Sequence, residues 1–249
     1  MQIVEVSVAG VRSSIMTLTR RESPLRFQVY PMVHLGEPAF YAAVAERLRR
    51  CDLVVAEGVG GVDTGEGRVV SSGYSAGKAA LSALTATYRL PARSGRSGLV
   101  EQNIDYASLG VPVRYPDMTE EQFTAGWNAV PLWQRAIVAV GAPLIALDRL
   151  AFGSRRKFAE SLSTDDGDWQ DITADVESID ELWSLLGEQR DRLLIAELDR
   201  IHQQRHGEAI TVAVVYGANH VAPTVHAMRS LYGYRVRSAE WLTIFGLDD

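Results

Sequence analysis

Val215-Tyr216-Gly217-Ala218-Asn219-His220 brings an apolar run that starts at Ile210 directly to a glycine and a histidine. A β-branched and aromatic run of this kind predicts a buried strand. Pro223 then opens a helix that stops at Gly233, and Tyr234 to Phe245 reads as a last strand with Glu240 inside it. The same order occurs near the other end of the chain. Leu25 to Val33 predicts a strand that delivers Val29-Tyr30-Pro31-Met32-Val33 to His34. Pro38 opens a helix to about Arg50, with Phe40, Val44 and Leu48 on one face. The short apolar strand Leu53 to Ala56 follows and ends at Glu57. The histidine-to-glutamate intervals, 34 to 57 and 220 to 240, are similar. The two stretches therefore read as a β-α-β duplication.

The rest of the chain fits around these units. Ile3 to Val8 and Val11 to Leu18 predict a hairpin turning at Ala9-Gly10. The stretch from Gly58 to Gly77 is rich in glycine, lacks a phosphate-binding spacing, and is expected to be a mobile loop beside the site. A helix is expected from about Ala76 to Tyr88, and a short strand over Val111 to Tyr115. Thr119 and Gln122 form a capping box that opens further helices, apolar from Phe123 to Leu150. An acidic loop spans Ser161 to Asp171, and amphipathic helices run from about Ile179 to His206 with a break near Gly187. The expected fold class is α/β: a mixed central sheet with helices, two pseudo-symmetric strand-His-helix-strand-Glu units, and a largely helical insertion, about 119–207, between them. A single domain over 1–249 accommodates all of this.

Composition excludes several function classes. The net charge of -6, with arginines scattered or in short helical clusters, gives no basic face for nucleic acid. The single cysteine, Cys51, excludes an intramolecular disulfide and a structural thiolate zinc site. No secretory signal is visible, so a cytoplasmic location is expected. The longest apolar stretch, Ile137 to Leu147, falls short of the roughly 20 residues that span a bilayer and reads as a buried helix or helix pair.

Both motif histidines are expected just beyond the carboxyl ends of strands, where open α/β sheets bind ligands. A helix N-terminus beside each favours neutral imidazole, the form that binds a metal. With Glu57 as an anionic oxygen ligand, His34 and His220 suit a catalytic divalent metal: manganese, cobalt, zinc or iron. A lone histidine at a strand end is ordinarily structural, and the repetition of the placement is what favours a site. His202, His206 and His226 lie on expected helices and read as ordinary surface or core residues.

These residues resemble a family. The two histidine motifs, Ala56-Glu57-Gly58-Val59, and Glu188-Gln189-Arg190-Asp191-Arg192 opening a helix are similar to the TraB/PrgY/GumN/Tiki group, marked by two G-x-x-H motifs and a glutamate. Gln102-Asn103-Ile104-Asp105-Tyr106 and Asp117-Met118 also look like bacterial members. The likeness runs from about Phe27 to Phe245. Gly217 to His220 matches intact, whereas Pro31 stands where the group has glycine.

The resemblance implies a metal-dependent hydrolase that cleaves a peptide or other acyl bond with activated water. His34, Glu57 and His220 would hold the metal or act directly. One of these groups or Glu240 would move protons. Arg190 would stabilise an oxyanion or bind a substrate carboxylate, with Asp191 orienting it. For Arg190 and Asp191, an ordinary helix-end salt bridge is the bland alternative. Two other functions compete: a non-catalytic binding protein holding a peptide, haem or small molecule in the same cleft, and a metal-independent esterase. The expected partner is a peptide or small-molecule substrate, with homo-oligomer formation open.

Overall fold

The computed structural model describes residues 2–60, 76–160, 162 and 180–247. It is a mixed α/β protein whose sheet combines parallel and antiparallel strands. Strands β1 (Val4–Ser7) and β2 (Gly10–Arg20) form the expected hairpin, and β3 (Ser23–Met32) pairs antiparallel with the second half of β2. After the two-residue strand β4 (Leu35–Gly36), helix α1 (Pro38–Leu48) starts on its proline and buries Phe40, Tyr41, Val44 and Leu48. Strand β5 (Leu53–Ala56) follows, then helix α2 (Ala76–Ser94), the short strands β6 (Val100–Glu101) and β7 (Val113–Arg114), and helices α3 (Glu120–Ala129), α4 (Leu132–Phe152) and α5 (Arg155–Glu160). Helix α6 (Asp180–Trp183) leads through one π turn, Ser184–Glu188, into α7 (Gln189–Arg205). The chain ends with β8 (Thr211–Gly217), α8 (Val221–Tyr232) and β9 (Arg235–Gly246).

Strand β8 runs parallel between β3 and β5, with Val214 level with both Val29 and Val55. Val212, Ala213, Val214 and Val215 are almost fully buried, as a central strand covered on both faces requires. Because both edges of β8 are occupied, the strand that follows α8 cannot lie beside it. Strand β9 passes to the far edge and pairs antiparallel with the whole length of β2. The strand-histidine-helix-strand order thus occurs twice, but the last strand of the second unit lies at a different distance from its first. The crossover from β3 to β5 steps over β8 in one direction, and the crossover from β8 to β9 steps over β3 and β2 in the other. The two histidine motifs lie side by side at the same end of the sheet, but the strands that carry Glu57 and Glu240 are not equivalent.

Adjacent parallel strands whose connections leave in opposite directions open a crevice beyond their carboxyl ends. Here that crevice lies between β3 and β8, the strands that precede His34 and His220. Pro31 fits this arrangement. A residue's N–H and C=O point to the same edge of a strand, and the Pro31 carbonyl faces β2, where Ser13 Oγ donates to it at 2.7 Å. A proline here costs no hydrogen bond to β8.

Other expectations fare differently. The capping box at Thr119 forms with both reciprocal hydrogen bonds. The expected break near Gly187 is the π turn, so α6 and α7 continue through it. The apolar segment Ile137 to Leu147 forms about three turns of α4 and is buried on one side only: Val138, Ala142 and Ala146 face inward, whereas Ile137, Val140, Leu144 and Leu147 are exposed. Helix α4 lines up against α2, and its inner residues Val138 and Ala142 join Ala80, Phe123, Trp127 and Leu185 in a second apolar cluster beside the sheet core. Most of the glycine-rich stretch (61–75) and of the acidic one (161 and 163–171) lies outside the described residues.

Gly10 turns the first hairpin with φ of 144°, and a Cβ there would collide with the carbonyl oxygen of Phe245 on β9. Gly10→Ala is therefore expected to destabilise the fold by about 1–3 kcal/mol. Gly207→Ala, at a glycine with open space around it, should stay within about 0.5 kcal/mol of wild type. Urea unfolding of both variants checks this, and equal midpoints would refute the close approach at Gly10.

Candidate functional site

The site is built where β3, β5 and β8 end. Glu57 directly follows β5, and its backbone N–H donates to the Val215 carbonyl at 3.0 Å, which fixes the carboxylate against the end of β8. Oε2 accepts the Gly217 N–H at 2.7 Å, and Oε1 accepts Nη2 of Arg190 at 2.8 Å. A Cβ on residue 217 would lie 3.2 Å from Glu57 Oε2. Glycine at this position of the motif thus lets the carboxylate reach the backbone.

Arg190, in the first turn of α7, bridges two carboxylates. Its Nε and Nη2 donate to Oδ1 and Oδ2 of Asp117 at 2.9 and 2.5 Å, and Nη2 is shared with Glu57. Asp117 is almost fully buried and also accepts the backbone N–H groups of Gly58 and Met118 at 3.0 and 2.8 Å. Burial alone would raise the pKa of Asp117. The hydrogen bonds and charge of Arg190, with the two backbone donors, outweigh it and hold the carboxyl below its ordinary range. Glu57 behaves alike: burial opposes ionisation, but Arg190, His220 and the Gly217 N–H lower its pKa overall. Burial pulls the Arg190 pKa down, and its two carboxylate partners more than reverse this. The cluster is ionised throughout.

His220 is buried at the start of α8. Its Nδ1 is 2.6 Å from Asp191 Oδ1 and its Nε2 is 3.8 Å from Glu57 Oε1. With Nδ1 engaged by Asp191, Nε2 is the ring nitrogen turned towards Glu57. Asp191 was expected to orient Arg190, and it orients His220 instead. Consecutive helix positions project about 100° apart, so Arg190 and Asp191 reach different partners, and Asp117 takes the role of orienting Arg190.

His34 stands across the crevice. Its ring stacks on Tyr88 of α2, with centroids 4.3 Å apart and planes 8° from parallel. Together with Glu101, Gln102, Asn103, Ile104 and Tyr106 it lines a cavity of about 210 Å³ that is open to solvent. Burial lowers the His34 pKa, opposed by the charge of Glu57 and assisted by that of Arg190. Burial thus favours the neutral imidazole. The Tyr106 hydroxyl in the same cavity wall is buried and makes no hydrogen bond of good geometry among the described residues.

The structure brings His220, Glu57, Arg190 and Asp191 into contact and sets His34 beside them. Glu240 is not part of the site. It sits on β9 opposite Ile15, paired with Arg47 of α1, and lines a cavity with Gln28 and Thr211 at the amino end of β8. Sequence reading had quoted Asp117 and Tyr106 only as points of likeness, without a role. Asp117 stands two residues before the helix cap at Thr119, but nothing local marks it as a partner for a residue on α7.

The expected metal needs three converging donors. His220 Nε2 and Glu57 Oε1 lie within the span that one ion about 2.0–2.2 Å from each could bridge. His34 is in the neighbouring cavity, and Glu57 Oε1 already accepts a guanidinium. Among the described residues, no three His, Cys, Asp or Glu side chains are grouped to hold an ion. As they stand, the donors do not make a metal site. Compared with protein families, curated proteins and solved structures, the chain matches none.

Removing Arg190 leaves two buried carboxylates facing each other. Arg190→Met is expected to cost about 3–5 kcal/mol of stability at neutral pH. The depressed carboxylates contribute stability that is fully present above their unfolded pKa of about 4 and is lost as pH falls through their lower folded values. In the variant the backbone donors remain but the guanidinium that outweighed burial is gone, so protonation costs the folded state less and the gap to wild type narrows below about pH 4. Urea unfolding at neutral and acid pH measures the gap. A gap independent of pH would show that Arg190 acts by packing and not by charge.

Proposed function

We propose that this chain is a hydrolase of the TraB/PrgY/GumN/Tiki type that cleaves a peptide or other acyl bond, with His220 and Glu57 acting on the water. The observation that carries the reading is the Asp191–His220 pair aimed at Glu57 in the crevice between β3 and β8. A histidine with Nδ1 tied to a carboxylate and Nε2 free is the arrangement of a general base.

A water reached by both Nε2 and Glu57 Oε1 loses a proton to His220 as its oxygen attacks the substrate carbonyl. The new imidazolium lies between two carboxylates, Asp191 and Glu57, which stabilise it. Arg190 keeps Glu57 ionised and fixed, and Asp117 keeps Arg190 in place. The proton on His220 then passes to the leaving group, with neutral His34 on the opposite wall as its hydrogen-bond partner.

This chemistry routes no atom through a metal, and the divalent ion implied by the resemblance is a separate proposal resting on the 3.8 Å between Nε2 and Oε1. The two are told apart by measuring hydrolysis of p-nitrophenyl acetate and of a fluorogenic peptide library, with metal content per chain, before and after chelation. Direct catalysis predicts activity that survives chelation and falls about 10²–10⁴-fold in His220→Ala, with Asp191→Asn also impaired and both variants folded. Activity lost on chelation and restored by manganese, cobalt or zinc would replace this mechanism with the metal one at His34, Glu57 and His220. Turnover of no substrate, with peptide or haem bound, would make the crevice a binding site only.

A further inference from the structure

Helix α4 runs 21 residues, about 32 Å, and its middle, from Ala136 to Leu147, is apolar on every side. Its inner face, with Gln134, Val138, Ala142 and Ala146, is buried against the protein. Its outer face repeats apolar residues at helical spacing: Trp133, Ile137, Val140, Leu144 and Leu147, followed by Phe152 at the end, each between 49 and 70% exposed. No charged residue falls between Ala136 and Leu147. A helix that is hydrophobic on every side is stable only when something apolar covers the second face.

The surroundings of the stripe specify what covers it. Aromatic side chains mark both ends, Trp133 at the start and Phe152 at the finish. Around Phe152 the surface turns basic, against the chain's net charge of -6. Lys157 Nζ lies 5.6 Å over the Phe152 ring, and the Arg96 guanidinium donates to the Ala151 carbonyl at 3.2 Å. Arg93 and Arg96 are exposed, as is Arg156 at 85%. The acids nearby are Asp148, paired with Lys157 at 3.5 Å, and Glu160, paired with Arg156 at 3.6 Å, and both pairs are exposed and therefore weak. Apolar residues along one face, aromatic residues at the ends and cations beside them are the chemistry of a helix lying in a lipid interface. No single described helix is long and apolar enough to cross a membrane, and α3 and α4 pass that test only together, as a pair bent by 112°; a one-sided apolar stripe suits a helix lying along a surface.

We infer that the outer face of α4 docks on a membrane surface bearing anionic lipid, with Trp133 to Phe152 among the acyl chains and Arg93, Arg96, Arg156 and Lys157 at the headgroups. This is independent of the hydrolytic reading. The test is flotation of the full chain with vesicles of phosphatidylcholine alone and of an equal mixture with phosphatidylglycerol. Wild type is expected to float with the mixed vesicles, and less with phosphatidylcholine alone. Arg156→Glu with Lys157→Glu should weaken binding about tenfold or more and reduce its salt sensitivity. Val140→Gln, Leu144→Gln and Leu147→Gln together should abolish flotation while circular dichroism stays unchanged. Should that variant misfold, quenching of tryptophan fluorescence by brominated phosphatidylcholine, present in wild type and reduced in Trp133→Phe, supports the proposal. Wild type that stays unbound to both vesicles overturns it, and if that protein is a dimer dissolved by the glutamine substitutions, the face belongs to a second copy of the chain.

Discussion

The backbone of β8 is committed on both edges, to β3 on one side and β5 on the other, and the rest of the architecture follows from that double commitment. It sends β9 to the opposite edge of the sheet. It makes the crossovers out of β3 and β8 diverge, which opens the crevice. It also sets the end of β5 against the end of β8, so that Glu57 meets Gly217. The burial of β8 is the energetic side of the same fact: an apolar strand without polar alternation can sit only in the middle of a covered sheet.

Within the crevice the controlling term is charge balance. Three carboxylates, a guanidinium and an imidazole meet in partly buried surroundings, and each carboxylate has a named donor. Asp117 is used up entirely by Arg190 and two backbone amides, which makes it a support. Asp191 is engaged by His220, and Glu57 by Arg190 and Gly217, which leaves Nε2 of His220 and the face of Glu57 towards it as the open valences. Preorganisation of this sort is costly to fold and is retained where fixed dipoles act on a reacting group.

Local physics made part of this legible. Strand positions, the proline-started helix, the capping box and the placement of His34, Glu57 and His220 all depend on neighbouring residues, and sequence reading found them. The pairing of β9 with β2 depends on which edges are already occupied, information that no window around Glu240 contains. Repetition of the strand-His-helix-strand-Glu order was therefore a guide to where the histidines stand in the sheet, and not to where the second glutamate does. Asp117 and the partner of Asp191 were hidden for the same reason: α7 is far along the chain from both β5 and β7, and only the fold decides which side of its first turn meets them. The exposure of α4 was misread because a charge-free apolar run in a chain of this size is ordinarily core.

The late arrival of β8 also has a meaning for synthesis. Strands β3 and β5 leave the ribosome long before the residues that separate them, and until Thr211 to Gly217 emerges they have no strand to join them. The nascent chain must hold two strand edges open, at elongation rates of about 5–20 residues per second, for the whole time the helices are being made. Pairs so distant in sequence also close slowly once available. A product cut short before β8 would thus carry His34, Glu57 and Arg190 and yet possess no crevice, so unfinished chains would lack the assembled site.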